Sequence, residues 1–235
     1  MTVLTAEKLM KLTSQDLTKN IELHVHDCPA RISLMISRPN LLDYWSDILT
    51  DLSTNIILKE IGYDLLSSIY ISTNGMYRNA YISLRSAVEL GISFFYFTDH
   101  NYHFLQWKRN VFDMTWSRLV DVDKGVLSNK YLSLFNEAFN TELFIETVKE
   151  IYRNCSEYVH GKYEYMHSIG TQRITYDKAK FMQWSTIFLR TVELLLILLS
   201  VRFTEKINDL NQDHKETMNE IYKNLGFGEL EINNE

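Results

Sequence analysis

The first forty residues contain two short stretches in which apolar residues occupy every second position, residues 21–25 and 32–36. Asp27-Cys28-Pro29, a turn signal, lies between them. A period of two on both sides of a turn is typical of two paired strands. The pattern therefore predicts a small β-hairpin over residues 21–36.

After Pro39 the apolar residues recur at spacings of three and four, which is typical of helices that bury one face. The side chain of Asp177 can cap a final long helix that ends near Phe203. The expected fold class is all-α, a helical bundle of four to six helices with a small N-terminal β-hairpin. We divide the chain into an appendage with the hairpin (1–40), the bundle (41–204) and an acidic tail or helix (205–235).

Composition supports a helical, globular protein. The 235 residues include only two prolines and eight glycines, which all-β folds would use in their turns, and 46% are hydrophobic, enough for a sizeable core. Two cysteines suit a reducing compartment. No targeting segment is visible, and the most apolar run, Leu194–Val201, is far shorter than the ~20 residues that span a membrane. We therefore expect a cytoplasmic protein without a membrane partner.

The charge distribution excludes a general nucleic-acid-binding protein, because the net charge is −6. Residues 205–235 contain eight acidic residues and three lysines. Residues 149–190 contain seven basic and four acidic residues. One mildly basic segment therefore lies within an otherwise acidic chain.

The common signatures of metal and nucleophile sites are missing from the sequence, including Gly-rich phosphate loops, Cys-x-x-Cys, His-Glu-x-x-His and Gly-x-Ser-x-Gly. His24, His26 and Cys28 are spaced by two, so that on a strand they would share a face and could hold zinc. The alternative is the polar face of the hairpin, and no fourth ligand follows at a useful spacing. We expect no metal and no cofactor.

Arg153 and His160 are the strongest candidates for chemistry because of where a helix would place them. Seven residues turn a helix to within about 20° of two full turns, so both side chains lie on one side. The apolar stripe between Phe144 and Tyr158 projects to the opposite side. The pair is therefore expected to point away from the core. Such a surface is either solvated, with Arg153 and Glu157 as an i,i+4 ion pair, or an interface or a site.

The residues around this pair resemble the motif of the HEPN superfamily, a group of helical domains that includes many ribonucleases. In that motif an Arg is followed at once by a polar residue and, after six intervening residues, by a His near a helix end. Here these residues are Arg153, Asn154 and His160. The segment from Gly75 to Leu90 resembles the upstream bundle helix of bacterial members. The resemblance covers about residues 41–203.

This resemblance implies a homodimer in which the Arg and His of two protomers meet and cleave RNA without a metal ion. His160 would move the proton of a ribose 2′-hydroxyl, and Arg153 would stabilise the charge of the phosphorane. Asn154 would orient the substrate or His160. The expected role is that of a stress or phage-defence toxin, whose further partner is an antitoxin or another regulatory protein.

Five other residues are expected to border the site and bind substrate: Glu157, Arg85, Glu89, Lys162 and Tyr163. For Arg85 and Glu89 the alternative is internal ion pairing within the upstream helix. In the toxin–antitoxin branch of the family, a Tyr two residues after the His can be adenylylated by a partner. Lys162 stands at that position here and Tyr163 follows it, which departs from the pattern.

Two other functions fit the same residues. A non-catalytic HEPN-like module would bind a nucleotide or a protein partner. An unrelated helical interaction protein would leave Arg153 and His160 in bulk solvent on a monomer. The presence of both residues favours the ribonuclease.

Overall fold

The computed structural model describes residues 5–160 and 173–230, and all regular secondary structure within these ranges is helical. This confirms the all-α fold class, whereas the described residues form ten α-helices rather than the four to six that were expected. In chain order the helices are α1 (Ala6–Asp27), α2 (Pro29–Ile48), α3 (Asn55–Thr73), α4 (Tyr77–Asp99), α5 (Asn101–Trp107), α6 (Trp116–Leu119), α7 (Asn129–Leu132), α8 (Thr141–His160), α9 (Lys178–Arg202) and α10 (Gln212–Leu225). A short 3₁₀ helix, Thr204–Asp209, precedes α10.

Helix α9 is the centre of the bundle. It packs against α2, α3, α4, α8 and α10, and every residue of Leu194–Val201 is buried. A helix that is apolar on all sides is typical of a protein core. The Asp177 side chain accepts a hydrogen bond from the Lys180 N–H at 3.1 Å, so this residue caps the helix as its sequence predicts.

The length and composition of α9 are also sufficient to cross a membrane. Its most apolar 18-residue window has a mean hydropathy of 1.7, but 78% of that window is buried inside the bundle. The core helix of a soluble protein has the same properties, so this helix is only weak support for a membrane span.

Helices α3 and α4 form a helical hairpin through a turn at residues 74–76. Gly75 has φ +88° in this turn, a left-handed conformation that other residues rarely adopt. Helix α4 also packs against α8 and α9. The surface formed by α4 and α9 therefore supports α8, the helix that carries the Arg153–His160 pair.

The β-hairpin predicted for residues 21–36 is wrong, because α1 extends to Asp27 and α2 begins at Pro29. The turn signal at Asp27-Cys28-Pro29 is instead the break between two helices. Proline is favoured in the first turn of a helix, where its missing N–H would have no partner. Helix α2 then continues through Pro39 to Ile48 and packs against α3 and α9.

The alternation misled because burial in α1 does not follow hydrophobicity. Ile21 and Val25 are 40% and 53% exposed, whereas His24 is fully buried and Asn20 nearly so. The two polar side chains are hydrogen-bonded inside the bundle, which makes their burial possible. A short period-two pattern cannot distinguish this arrangement from a strand.

Candidate functional site

The candidate site lies on α8, an amphipathic helix. Its N-terminus is capped by Asn140, whose side-chain oxygen accepts a hydrogen bond from the Leu143 N–H at 3.1 Å. The predicted apolar stripe is buried along its whole length: Phe144, Val148, Ile151, Cys155 and Tyr158. Because this side of α8 faces the core, the opposite side faces outward.

Arg153 and His160 both lie on the outward side of α8 and are exposed. Within the part of the chain that the structure describes, neither side chain forms a hydrogen bond or an ion pair. Seven residues of helix separate the two Cα atoms by about 10 Å along the axis. Asn154 is half-buried, on the flank of the helix. The structure thus leaves a cation and an imidazole available on one surface.

Arg78 of α4 fixes the C-terminal turn of α8, where His160 is located. Its Nε donates a hydrogen bond to the Tyr158 carbonyl at 3.0 Å, and its Nη2 donates to the Val159 carbonyl at 3.4 Å. A cation at a helix C-terminus satisfies carbonyls that have no partner within the helix and is favoured by the helix dipole. Arg78 is therefore a positioning residue for this turn.

The backbone of α8 beside Arg153 is held by a second cluster, centred on Tyr152. Arg85 donates hydrogen bonds to the Tyr152 hydroxyl at 2.9 Å and to a Glu89 carboxylate oxygen at 3.1 Å. The Tyr152 ring stacks on Trp116 of α6, with centroids 3.6 Å apart and planes within 5°. Three helices, α4, α6 and α8, are joined by these contacts.

The charges in this cluster stabilise one another. Burial opposes ionisation of Arg85, but Glu89 and Tyr152 raise its pKa, so it remains a cation. Burial and the neighbouring Glu89 raise the pKa of Tyr152, which keeps its hydroxyl protonated. Arg85 and Glu89 thus form the internal ion pair that was the alternative to substrate binding, while both border Tyr152 and hence the surface that carries Arg153.

The other candidate residues fall in different places. Glu157 is half-buried on α8, one turn after Arg153. Lys162 and Tyr163 lie outside the described residues. Cys155 is not a candidate nucleophile, because burial raises the pKa of its thiol to about 12.

The proposed zinc ligands of the N-terminal region do not converge. His24 is buried and contacts the Asn20 carbonyl and the Tyr77 hydroxyl, whereas the exposed His26 contacts Asp27 at 2.8 Å. Cys28 is buried between α1 and α2. In residues 5–160 and 173–230, no group of three or more His, Cys, Asp or Glu side chains is arranged to hold a metal ion.

Sequence reasoning missed the role of Arg78 and Tyr152 in supporting α8. The signal that was available is spacing: Arg78 and Arg85 are seven residues apart on α4 and so lie on one side of it. Spacing does not predict the hydrogen-bond partner of Arg78, because that partner is a backbone carbonyl of α8, eighty residues further along the chain.

No protein-family model, curated protein or solved structure matches this chain.

Proposed function

We propose that this protein is a HEPN-type, metal-independent endoribonuclease whose active site is formed by Arg153 and His160 of two protomers. The observation that carries the proposal is the pair itself. Both side chains lie on the outward side of a helix whose other side is buried, and neither is used within the described structure. Surface cations and imidazoles are common, but this pair also has the order and spacing of the HEPN motif.

The spacing along α8 favours a site shared between two copies. A rise of about 10 Å between Arg153 and His160 is longer than the span of one phosphodiester group, so one protomer's pair does not easily converge on it. A two-fold axis that packs two α8 helices antiparallel brings Arg153 of one protomer near His160 of the partner subunit, twice. Such an interface is expected to bury around 1,600 Å² in total.

The reaction assigns one task to each residue. His160 takes the proton of a ribose 2′-hydroxyl, and the 2′ oxygen attacks the adjacent phosphorus. Arg153 stabilises the negative charge of the phosphorane with its planar set of donors. The bond from phosphorus to the 5′ oxygen then breaks, and that oxygen is protonated by an imidazolium of the site. The products are a 2′,3′-cyclic phosphate and a 5′-hydroxyl, which balances protons and electrons.

The supporting contacts fit the need for preorganisation. Arg78 holds the last turn of α8, and the Tyr152 cluster holds the turn before Arg153. A catalytic group must be positioned closely, because small displacements reduce rates strongly. We place Asn154 as an orienting residue and Glu157, Lys162 and Tyr163 as residues at the border of the site.

The proposed biological role is a cytoplasmic stress or phage-defence toxin that an antitoxin or another regulatory protein restrains. The test is cleavage of RNA by the purified protein in EDTA. Wild type is expected to leave 2′,3′-cyclic phosphate ends. His160→Ala is expected to reduce the rate by about 10²–10⁴-fold, and Arg153→Ala by a similar factor, with Asn154→Ala milder. His26→Ala, an exposed histidine on α1, is the matched control and should cleave like wild type.

A second candidate, a non-catalytic binding module, is favoured by the acidic residues on the outward side of α8. Glu146 and Glu150 lie N-terminal to Arg153, and Lys149 pairs with Glu146 at 3.1 Å. Negative charge near a site repels RNA and suits a basic protein partner. If His160→Ala cleaves as fast as wild type, or if wild type cleaves no RNA with its cellular trigger present, the binding module replaces the ribonuclease.

A further inference from the structure

A polar cleft separate from the Arg153–His160 pair lies between the end of α4, α5 and the segment of residues 113–124. We name it the α5 cleft, and its volume is about 700 Å³. Its lining residues with a charged or imidazole side chain are His100, His103, Arg118, Asp121 and Lys124. Clefts of roughly 300–1,000 Å³ are typical of small-molecule sites.

The charge of the α5 cleft is unbalanced in favour of cations. Arg118 and Lys124 form no salt bridge within the described part of the chain. Asp121 is the one carboxylate in the lining, and its Oδ1 already accepts hydrogen bonds from the backbone N–H groups of Asp123 and Lys124, at 2.9 and 2.8 Å. These bonds lower the pKa of Asp121 and fix the loop. The lining therefore carries two cations, Arg118 and Lys124, against one carboxylate, and Lys124 lies close enough to Asp121 to lower the pKa of that carboxyl further.

Two imidazoles lie beside these cations in a fixed orientation. His100 stacks on Tyr96, with centroids 4.1 Å apart and planes within 9°, and its Nδ1–H donates to the Tyr96 carbonyl at 2.9 Å. His103 Nδ1 is hydrogen-bonded to the Tyr96 hydroxyl at 2.9 Å. Because both Nδ1 atoms are occupied, the Nε2 atoms are the ones left to meet a ligand.

Arg118 is held in place by a ring as well. Its guanidinium carbon lies 4.5 Å from the centroid of Phe112, and the Phe112 ring stacks on His103 at 4.5 Å. Burial lowers the pKa of His103, and the neighbouring His100 and Arg118 lower it further. These surroundings favour the neutral imidazole of His103, and an anion bound beside Arg118 would favour its protonation.

We propose that the α5 cleft binds a small phosphorylated ligand, with Arg118 and Lys124 on the phosphate and the two imidazoles beside them. The hydroxyls of Thr115 and Ser117 also line the cleft. They are hydrogen-bonded to each other at 3.2 Å, which leaves one hydroxyl proton for a ligand. Arg118 and Lys124 alone offer more N–H donors than the two oxygens of a carboxylate accept. A phosphate monoester has three terminal oxygens and up to two charges, and so fits this set better.

The binding test uses calorimetry with inorganic phosphate, AMP, adenosine and sulfate as probes, at matched ionic strength. AMP or inorganic phosphate is expected to bind, and their ratio shows whether the organic part of the ligand is recognised. Arg118→Gln and Lys124→Gln should each weaken binding by about tenfold or more, since each removes a charged donor. Arg109→Gln, an exposed arginine outside the cleft, is the matched control and should bind like wild type.

Trp116 provides an independent readout, because it lies between Thr115 and Ser117 and stacks on Tyr152. Ligand binding should change the tryptophan fluorescence of wild type, and Trp116→Phe should remove that change while calorimetry still detects binding. His160→Ala should bind the ligand normally, so this result is independent of RNA cleavage.

Three results would overturn the proposal. The first is that neither phosphate nor AMP binds. The second is that adenosine or sulfate binds as tightly as both phosphate probes, since the phosphate group is then not what the cleft recognises. The third is that folded Arg118→Gln and Lys124→Gln proteins bind like wild type.

Discussion

His24 is a fully buried histidine with a partner for each ring nitrogen. Its Nδ1 lies 2.6 Å from the Asn20 carbonyl, which can only accept, so Nδ1 carries the proton. Its Nε2 lies 3.0 Å from the Tyr77 hydroxyl and accepts from it. Tyr176 and Phe181 pack against the ring at 4.6 and 4.5 Å. This pocket fits the neutral imidazole, because protonation would remove the acceptor and bury a charge.

Burial lowers the pKa of His24 below its usual value of 6.5. The unfolded chain therefore binds a proton at a higher pH than the folded protein does. The contribution of His24 to stability is present above pH 6.5 and is lost as the pH falls toward the folded pKa, at up to about 1.4 kcal/mol per pH unit.

Denaturant unfolding between pH 7.5 and 5 measures this slope. Wild type should lose unfolding free energy over the acidic part of the range, and His24→Phe should lose less over the same part. The exposed His26→Gln serves as the control and should follow wild type. Equal slopes for wild type and His24→Phe would contradict the assignment.

Among individual residues, periodicity predicted correctly which side chains of α8 are buried, but it failed for α1. The opposition of Arg153 to the stripe ending at Tyr158 needed only the 3.6-residue repeat, because hydrophobic residues there are the buried ones. In α1 the buried residues include Asn20 and His24. Their partners come from distant segments, among them the Asn74 and Ile174 carbonyls, which no local pattern contains.

At the scale of elements, the last turn of α8 depends on α4. Arg78→Met keeps most of the aliphatic stem and removes both hydrogen bonds to α8 carbonyls. Because Arg78 is exposed, the expected loss of unfolding free energy is modest, about 1 kcal/mol. Asn79→Ala, at the exposed neighbouring position, is the control and should change stability less. Hydrogen exchange at the end of α8 should also accelerate in Arg78→Met, and an unchanged exchange rate would exclude this role.

Two glycines within helices differ in the space around them. A Cβ on Gly91 of α4 would lie 2.4 Å from Leu195 Cδ2, in the packed interface with α9, whereas on Gly62 of α3 it would meet only Asp43 Oδ1 at 3.5 Å. Gly62→Ala should stabilise the protein by up to about 1 kcal/mol through helix propensity. Gly91→Ala should destabilise it, since overpacking costs about 1–3 kcal/mol. Thermal unfolding measures both signs, and a stabilising Gly91→Ala would contradict the close approach.

The boundaries of the elements show why the hairpin was predicted and not found. The pattern located the break at residues 27–29 but gave the wrong element type on either side. Five-residue alternations are too short to decide between strand and helix. The length of the element distinguishes the two, because α1 and α2 extend far beyond the alternating stretches.

At the scale of the whole molecule, the bundle follows from one hydrophobic helix. The sequence predicted α9 from its cap at Asp177 and its apolar run, and the other long helices bury one side against it or its neighbours. The composition also predicts the all-α class, because glycine and proline are scarce. The sequence does not predict which outward surfaces bind another molecule, since exposure alone does not identify a partner.

In the proposed ribonuclease, each active site is completed by residues of two protomers. The most direct measurement mixes two inactive proteins, Arg153→Ala and His160→Ala, under conditions that exchange subunits, with sedimentation to verify that mixed dimers form. In a mixed dimer one of the two sites combines an intact Arg153 with an intact His160 of the partner subunit. RNA cleavage in EDTA should then recover to roughly a quarter of the wild-type rate, because half of the dimers are mixed and each has one intact site. Mixed dimers that remain inactive, or a protein that stays monomeric, would contradict the shared site.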